Sequence, residues 1–210
     1  MNLLESLRAR RLLAIVRGSD PDASLRAVRT LVSQGVSLVE ISLSGRDALE
    51  VIAAARAELG PDAPLGAGTV LTAEDATAAH AAGADFLVTP GLGAGLDEAR
   101  RLGLPTLAGA LTPSEIIAAR SAGATAIKIF PADAMGGPRY LRALRGPFPD
   151  LPLVPVGGVD AEAARAYLEA GAVAVGVGSP LLGDAADGGA LDSLAERAGA
   201  YLRLTEEASS

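Results

Sequence analysis

Eight short apolar runs punctuate the chain: Leu12–Val16, Leu38–Leu43, Leu65–Gly68, Phe86–Thr89, Thr106–Gly109, Ala126–Phe130, Leu153–Val156 and Val173–Val177. Within each run the apolar residues are nearly continuous rather than alternating. That is the pattern of parallel strands with both faces covered. Between the runs the spacing turns helical and carries helix-start chemistry. Asp20-Pro21 sets a capping side chain before a proline at the first helical position, and Thr72 with Asp75, like Thr112-Pro113 with Glu115, reads as a capping box. Glycines mark the helix ends at Gln34-Gly35, Ala82-Gly83, Leu102-Gly103, Ala122-Gly123 and Ala170-Gly171. The Ala-Gly-Ala triplets among them are a weak internal repeat built on the strand–helix unit.

Eight such units, with no linker and no low-complexity tract, predict an α/β chain folded as a single compact (β/α)8 barrel over residues 1–210. The competing architecture is an open doubly wound sheet. It expects Gly-x-Gly-x-x-Gly after the first strand, where Ile15-Val16-Arg17-Gly18 stands instead. The start, Met1 to Arg8, reads as a short amphipathic helix. It lacks the basic start and apolar core of a signal peptide. The tail from Leu191 to Leu204 has helical spacing and is expected to close the barrel as its last helix.

Composition narrows the partners. Half of the 210 residues are apolar but only 3% are aromatic, so the core is built from Ala, Val, Leu and Ile. A net charge of −7 argues against nucleic acid or an anionic membrane surface. No apolar run approaches the roughly 20 residues that span a bilayer, and the cytoplasm is the expected compartment. Cysteine is absent, which removes disulfides and thiolate metal sites. No His/Asp/Glu cluster has ligand spacing, so neither metal nor cofactor is expected. His80, the one histidine, falls mid-helix among alanines and reads as a helix-surface residue. Arg100-Arg101 and the series Arg139, Arg142, Arg145 read as solvated helix faces.

Lys128 is the only lysine among 18 basic residues. It sits inside an apolar run, Ala126-Ile127-Lys128-Ile129-Phe130. A guanidinium does not deprotonate in practice, whereas a buried ammonium can become a nucleophilic amine. Lys128 therefore reads as a Schiff-base candidate, against the plainer reading of an edge-strand lysine with its head in water. Glu40 is a second charge within an apolar run. Such a carboxylate is costly unless paired or protonated. Pointed inward together, Glu40 and Lys128 would supply acid–base catalysis beside an amine; the alternative is a structural ion pair, with Arg17 as a further partner. In a barrel the site lies at the C-terminal strand ends. There the chain offers Arg17, Thr69, Pro90, Phe130, Gly157-Gly158 and Ser179. The glycines after strands seven and eight can hold an anion on backbone N–H groups. The loop from Asp133 to Pro138 follows the lysine strand and is placed to cover the site.

Taken together, Ala14-Ile15-Val16-Arg17, Val39-Glu40-Ile41, Gly66-Ala67-Gly68-Thr69-Val70, Val88-Thr89-Pro90-Gly91, Lys128-Ile129-Phe130-Pro131-Ala132, Val156-Gly157-Gly158-Val159 and Gly176-Val177-Gly178-Ser179 carry a resemblance over nearly the whole chain. It resembles the class I 2-keto-3-deoxy-6-phosphogluconate (KDPG) aldolases, with the related phosphogalactonate (KDPGal) and 4-hydroxy-2-oxoglutarate (KHG) enzymes. The resemblance implies a metal-free trimeric barrel working through a pyruvate imine on a phosphorylated 2-keto-3-deoxy sugar acid. In it Lys128 forms the imine and Glu40 moves protons. Thr69, Pro90 and Phe130 shape the pyruvyl pocket, and Gly157, Gly158 and Ser179 hold the phosphate. Two positions depart from gluconate-type members: Ser44 replaces an arginine that many of them carry, leaving Arg17 as the carboxylate clamp, and Val156 replaces a threonine that some of them carry. The alternatives are a KHG aldolase, or an oligomeric barrel serving as a scaffold.

Overall fold

The computed structural model describes residues 2–207. Its elements run α1 (Leu3–Arg10), β1 (Leu12–Val16), α2 (Pro21–Ser33), β2 (Val39–Ser42), α3 (Ala48–Leu59), β3 (Leu65–Gly68), α4 (Ala73–Ala81) and β4 (Phe86–Val88). They continue α5 (Ala94–Arg101), β5 (Thr106–Ala110), α6 (Pro113–Ser121), β6 (Ala126–Ile129), α7 (Pro138–Arg145), β7 (Leu153–Pro155), α8 (Ala161–Glu169) and β8 (Val175–Val177). The short α9 (Ser179–Leu182) and α10 (Leu191–Glu207) complete the chain. Every strand falls on a predicted run, trimmed at some ends and, in β5, extended by one residue to Ala110.

The strands are all parallel in the order β7-β6-β5-β4-β3-β2-β1-β8. The two outer strands meet: Val156 bridges Gly176, and the Val173 N–H donates to the Leu153 carbonyl at 3.0 Å. The sheet therefore closes, and the open doubly wound alternative is excluded.

Closure explains the continuous apolar runs. Along β1, Leu12, Ala14 and Val16 join the layer between sheet and helices, while Leu13 and Ile15 enter the barrel with Leu38, Phe86, Leu107, Ala126, Val154 and Ala174. Both faces are buried, so both are apolar. With so few aromatics, the interior interlocks large residues with none. A Cβ on Gly66 would fall 2.9 Å from Phe86 Cδ2, and one on Gly176 would fall 2.6 Å from Val156 Cγ2. The bottom of the barrel is stoppered by α1, whose Leu3 and Leu7 are buried with the first interior residues of the strands. Asn2 caps this helix, accepting from the Glu5 N–H at 3.3 Å.

The helix starts follow the predicted chemistry. Asp75 N–H donates to Thr72 Oγ1 at 3.0 Å and Thr72 N–H donates back to Asp75 Oδ2 at 3.0 Å; Thr112 and Glu115 form the same reciprocal box. His80 lies exposed on α4, as expected. Arg145 corrects one expectation. It is half-buried and donates to the carbonyls of Pro149 at 3.1 Å, Leu151 at 2.6 Å and Gly171. Those loop carbonyls lack strand partners, and a guanidinium at the end of α7 can serve three of them at once. Among the described residues no helix is long and apolar enough to cross a membrane.

Candidate active site

Above the apolar floor the barrel interior turns polar. Glu40 follows Leu38 by two residues on β2, and Lys128 follows Ala126 by two on β6. Strand alternation thus carries both side chains inward. Glu40 is paired in register with Gly66 and Ile15, Lys128 with Gly109 and Val154. Gly68 leaves space for the carboxylate: a Cβ there would fall 2.8 Å from Glu40 Cδ.

Glu40 is 1% exposed, and its Oε2 has no hydrogen-bond partner among the described residues. Lys128 is 5% exposed, with its ammonium 4.8 Å from the centre of the Phe130 ring. Neither residue belongs to any of the ion pairs found among the described residues, so a structural contact pair is not what retains them. Burial pushes the Glu40 carboxyl up, with the Lys128 and Arg17 charges opposing. Burial pushes the Lys128 ammonium down; Glu40 opposes that shift and Arg17 adds to it. Desolvation thus moves both groups toward their neutral forms, an amine that can attack and an acid that can give a proton.

A cavity of about 310 Å³ opens above them, and Arg17, Phe130, Gly157, Gly158 and Ser179 line it. It holds five of the nine residues singled out in the sequence. Gly157 and Gly158 adopt φ of 96° and 65°, values at which a side chain would be strained. The segment after β6 leans on them: a Cβ on Gly157 would sit 3.4 Å from Pro131 Cα, and one on Gly158 would sit 2.6 Å from Asp133 Cγ. The loop expected to cover the site does begin there. The peptide between Phe130 and Pro131 is cis.

Thr69 and Pro90 are placed differently from the other seven. Pro90 lines a separate cavity of about 120 Å³ with Val70 and Leu92. The backbone after Pro90 turns across Gly109, where a Cβ would fall 2.5 Å from Gly91 N. Since Gly109 is the register partner of Lys128, Pro90 walls the lysine's side of the interior rather than the open cavity. Thr69, with φ of 59°, turns its hydroxyl to Ser42 at 2.8 Å.

Two residues were missed in the sequence. Ser42 is fully buried at the end of β2. Its Oγ accepts from Arg17 Nε at 3.3 Å and lies 2.9 Å from Ser44 Oγ and 2.8 Å from Thr69 Oγ1. The available signal was its spacing, two residues after Glu40 on the same face. Thr89, also buried, accepts from the Gly109 N–H at 3.2 Å and ties the end of β4 to β5. Among the described residues no cluster of three or more His, Cys, Asp or Glu could hold a metal ion.

Comparison with known proteins gives a consistent picture. A family described as KDPG and KHG aldolase matches residues 3–193. A 2-dehydro-3-deoxy-phosphogluconate aldolase from Haemophilus influenzae is 36% identical over 167 residues, 79% of this chain and 78% of that protein. A 2-dehydro-3-deoxy-6-phosphogalactonate aldolase from Escherichia coli K12 is 35% identical over 199 residues, 94% of this chain and 95% of that protein. A solved structure described as native KDPGal superposes with a TM-score of 0.87 at 34% identity, covering 94% of this chain and 95% of the other.

Proposed function

Because the chain belongs to the KDPG and KHG aldolase family, we propose that it is a Schiff-base carbon–carbon lyase. Its substrate is 2-dehydro-3-deoxy-6-phosphogluconate or the galactonate epimer, and its products are pyruvate and D-glyceraldehyde 3-phosphate. In this reading the neutral Lys128 amine attacks the C2 ketone, and the carbinolamine loses water to give the imine. The imine draws electrons from the C3–C4 bond as Glu40, through one water, takes the C4 hydroxyl proton. The aldehyde departs, the enamine takes a proton at C3, and water releases pyruvate and the free amine. Each step moves protons near one nitrogen, which is the use of a buried carboxylate of raised pKa beside it.

Arg17 clamps the substrate carboxylate in this reading, and Phe130 covers the imine. Thr69 and Pro90 close the pyruvyl side of the pocket, and Gly157, Gly158 and Ser179 take the phosphate. The assembly is a homotrimer of one barrel per chain, working in the cytoplasm without metal. The family resemblance supports these last points.

The single observation that carries the proposal is the environment of Lys128: the sole lysine, inside a barrel, depressed in pKa by burial, beneath a cavity with an arginine on its rim. Borohydride reduction in the presence of pyruvate should attach a pyruvyl-derived mass to the peptide containing Lys128 and extinguish activity. An active enzyme whose Lys128 peptide stays unmodified would refute the mechanism.

A further inference from the structure

Ser42 Oγ has three neighbours and the bonding capacity for three, and this fixes the direction of its hydrogen bonds. A hydroxyl carries one proton and two lone pairs, and a guanidinium can only donate. Arg17 Nε, at 3.3 Å, therefore occupies one lone pair of Ser42. The other two neighbours, Ser44 Oγ at 2.9 Å and Thr69 Oγ1 at 2.8 Å, share what remains. One of them donates to Ser42 and the other accepts from it. The hydroxyl that donates inward has no proton left to offer. The hydroxyl that accepts keeps its own.

We propose that Ser44 donates to Ser42 and Ser42 donates to Thr69, so that the Thr69 proton is aimed at the carboxylate of the bound 2-oxo acid. This rests on the lyase reading above and names how that site recognises its carboxylate. Ser44 is exposed, so water can fill its lone pairs while its proton points inward. Ser42 is fully buried, so no water competes for its bonds. Thr69 is held in the left-handed region, uncommon for a β-branched residue, which sets its hydroxyl against Ser42. Arg17 joins the chain through Nε and lines the cavity, and its two terminal nitrogens have no partner among the described residues. A carboxylate meeting those nitrogens and the Thr69 hydroxyl locks the polarity. Hydrogen bonds in series polarise one another, so Ser42 and Ser44 are positioning residues that touch no reacting atom.

The test compares borohydride trapping of pyruvate with trapping of hydroxyacetone, a ketone without a carboxylate. Trapping efficiency is read as the mass added at Lys128 over a range of ketone concentrations. Ser42→Ala is expected to reduce the preference for pyruvate over hydroxyacetone about tenfold, and the exposed Ser44→Ala roughly threefold, the range for single hydrogen bonds between neutral groups. Ser42→Thr, which keeps the hydroxyl, restores the preference. In a Thr69→Val background the Ser44→Ala change adds nothing, because the proton it directs is gone. A preference unchanged in both Ser44→Ala and Ser42→Ala, with pyruvate still trapped on Lys128, overturns the relay and leaves the lyase reading standing. No trapping of pyruvate by the unaltered protein overturns both.

Discussion

The Cα of Gly68 lies against the carboxylate of Glu40, with no space between them for a methyl group. Gly68→Ala should displace the carboxylate from its place in the barrel. We expect the turnover rate to fall about a hundredfold, the scale on which misplaced acid–base groups act. Gly66→Ala is the control. Its Cβ would strike the Phe86 ring, 2.9 Å from Cδ2, so it should destabilise the fold by about 1–3 kcal/mol with a smaller effect on turnover. Thermal melts and steady-state rates on the two variants separate these outcomes.

Lys128→Met keeps the side-chain volume and removes the amine. Activity should drop by about three orders of magnitude or more, because no imine can form. The variant should also melt higher at neutral pH. The Lys128 pKa lies below its ordinary value of 10.5, so between the folded and the ordinary value the unfolded chain binds more protons and stability rises with pH. The burden of the buried ammonium is full below the folded pKa and fades toward 10.5. The melting advantage of Lys128→Met should therefore narrow as the pH is raised.

Two neighbours of Lys128 act on its pKa in opposite directions, and the pH dependence of imine formation should report both. Glu40 holds the ammonium up and Arg17 pushes it down. Trapping needs the neutral amine, so its rate falls below the Lys128 pKa. Glu40→Gln should move that acid limb to lower pH, and Arg17→Leu should move it to higher pH. Initial trapping rates with hydroxyacetone, measured across pH, avoid confusion with carboxylate binding. Shifts of the same sign in both variants would contradict the assignment.

Ser179 begins α9 after β8 and lines the cavity together with Gly157 and Gly158, the glycines that follow β7. Ser179→Ala should raise KM for a phosphorylated substrate about tenfold to a hundredfold, the loss of one charge-assisted hydrogen bond. KM for 4-hydroxy-2-oxoglutarate should change much less. Equal effects on both substrates would remove Ser179 from the phosphate site.

Arg145 serves structure rather than chemistry. Arg145→Ala strands the carbonyls of Pro149, Leu151 and Gly171. It should lower stability by about 1–3 kcal/mol with KM unchanged, as chemical denaturation and kinetics would show.

What could be read from the chain, and what could not, follows from the physics of each feature. The strands were legible because closure buries both their faces, so Leu12–Val16 and its counterparts carry no polar alternation. Lys128 was legible because it is unique and because its neighbours are isoleucines. Ser42 was hidden by its ordinariness: a serine near the end of the run Leu38–Leu43 looks like the start of a turn until two-residue alternation from Glu40 is applied. Arg145 was misread because no local pattern distinguishes a helix-end arginine facing water from one facing orphan carbonyls. The parting of Pro90 from the main cavity depends on the turn after β4 crossing Gly109. That arrangement joins segments distant in sequence, and only the assembled barrel displays it.

Leu3 and Leu7 make the barrel a cup rather than a tube. With its lower mouth stoppered, whatever is fixed to the lysine has a single way out, upward past Phe130 and the glycine rim. On the proposed chemistry the aldehyde half is the outer passenger and leaves first. The three-carbon remainder, still tethered, follows only after water has descended behind it. A helix of eight residues that touches none of the reacting atoms thereby imposes a queue on the products.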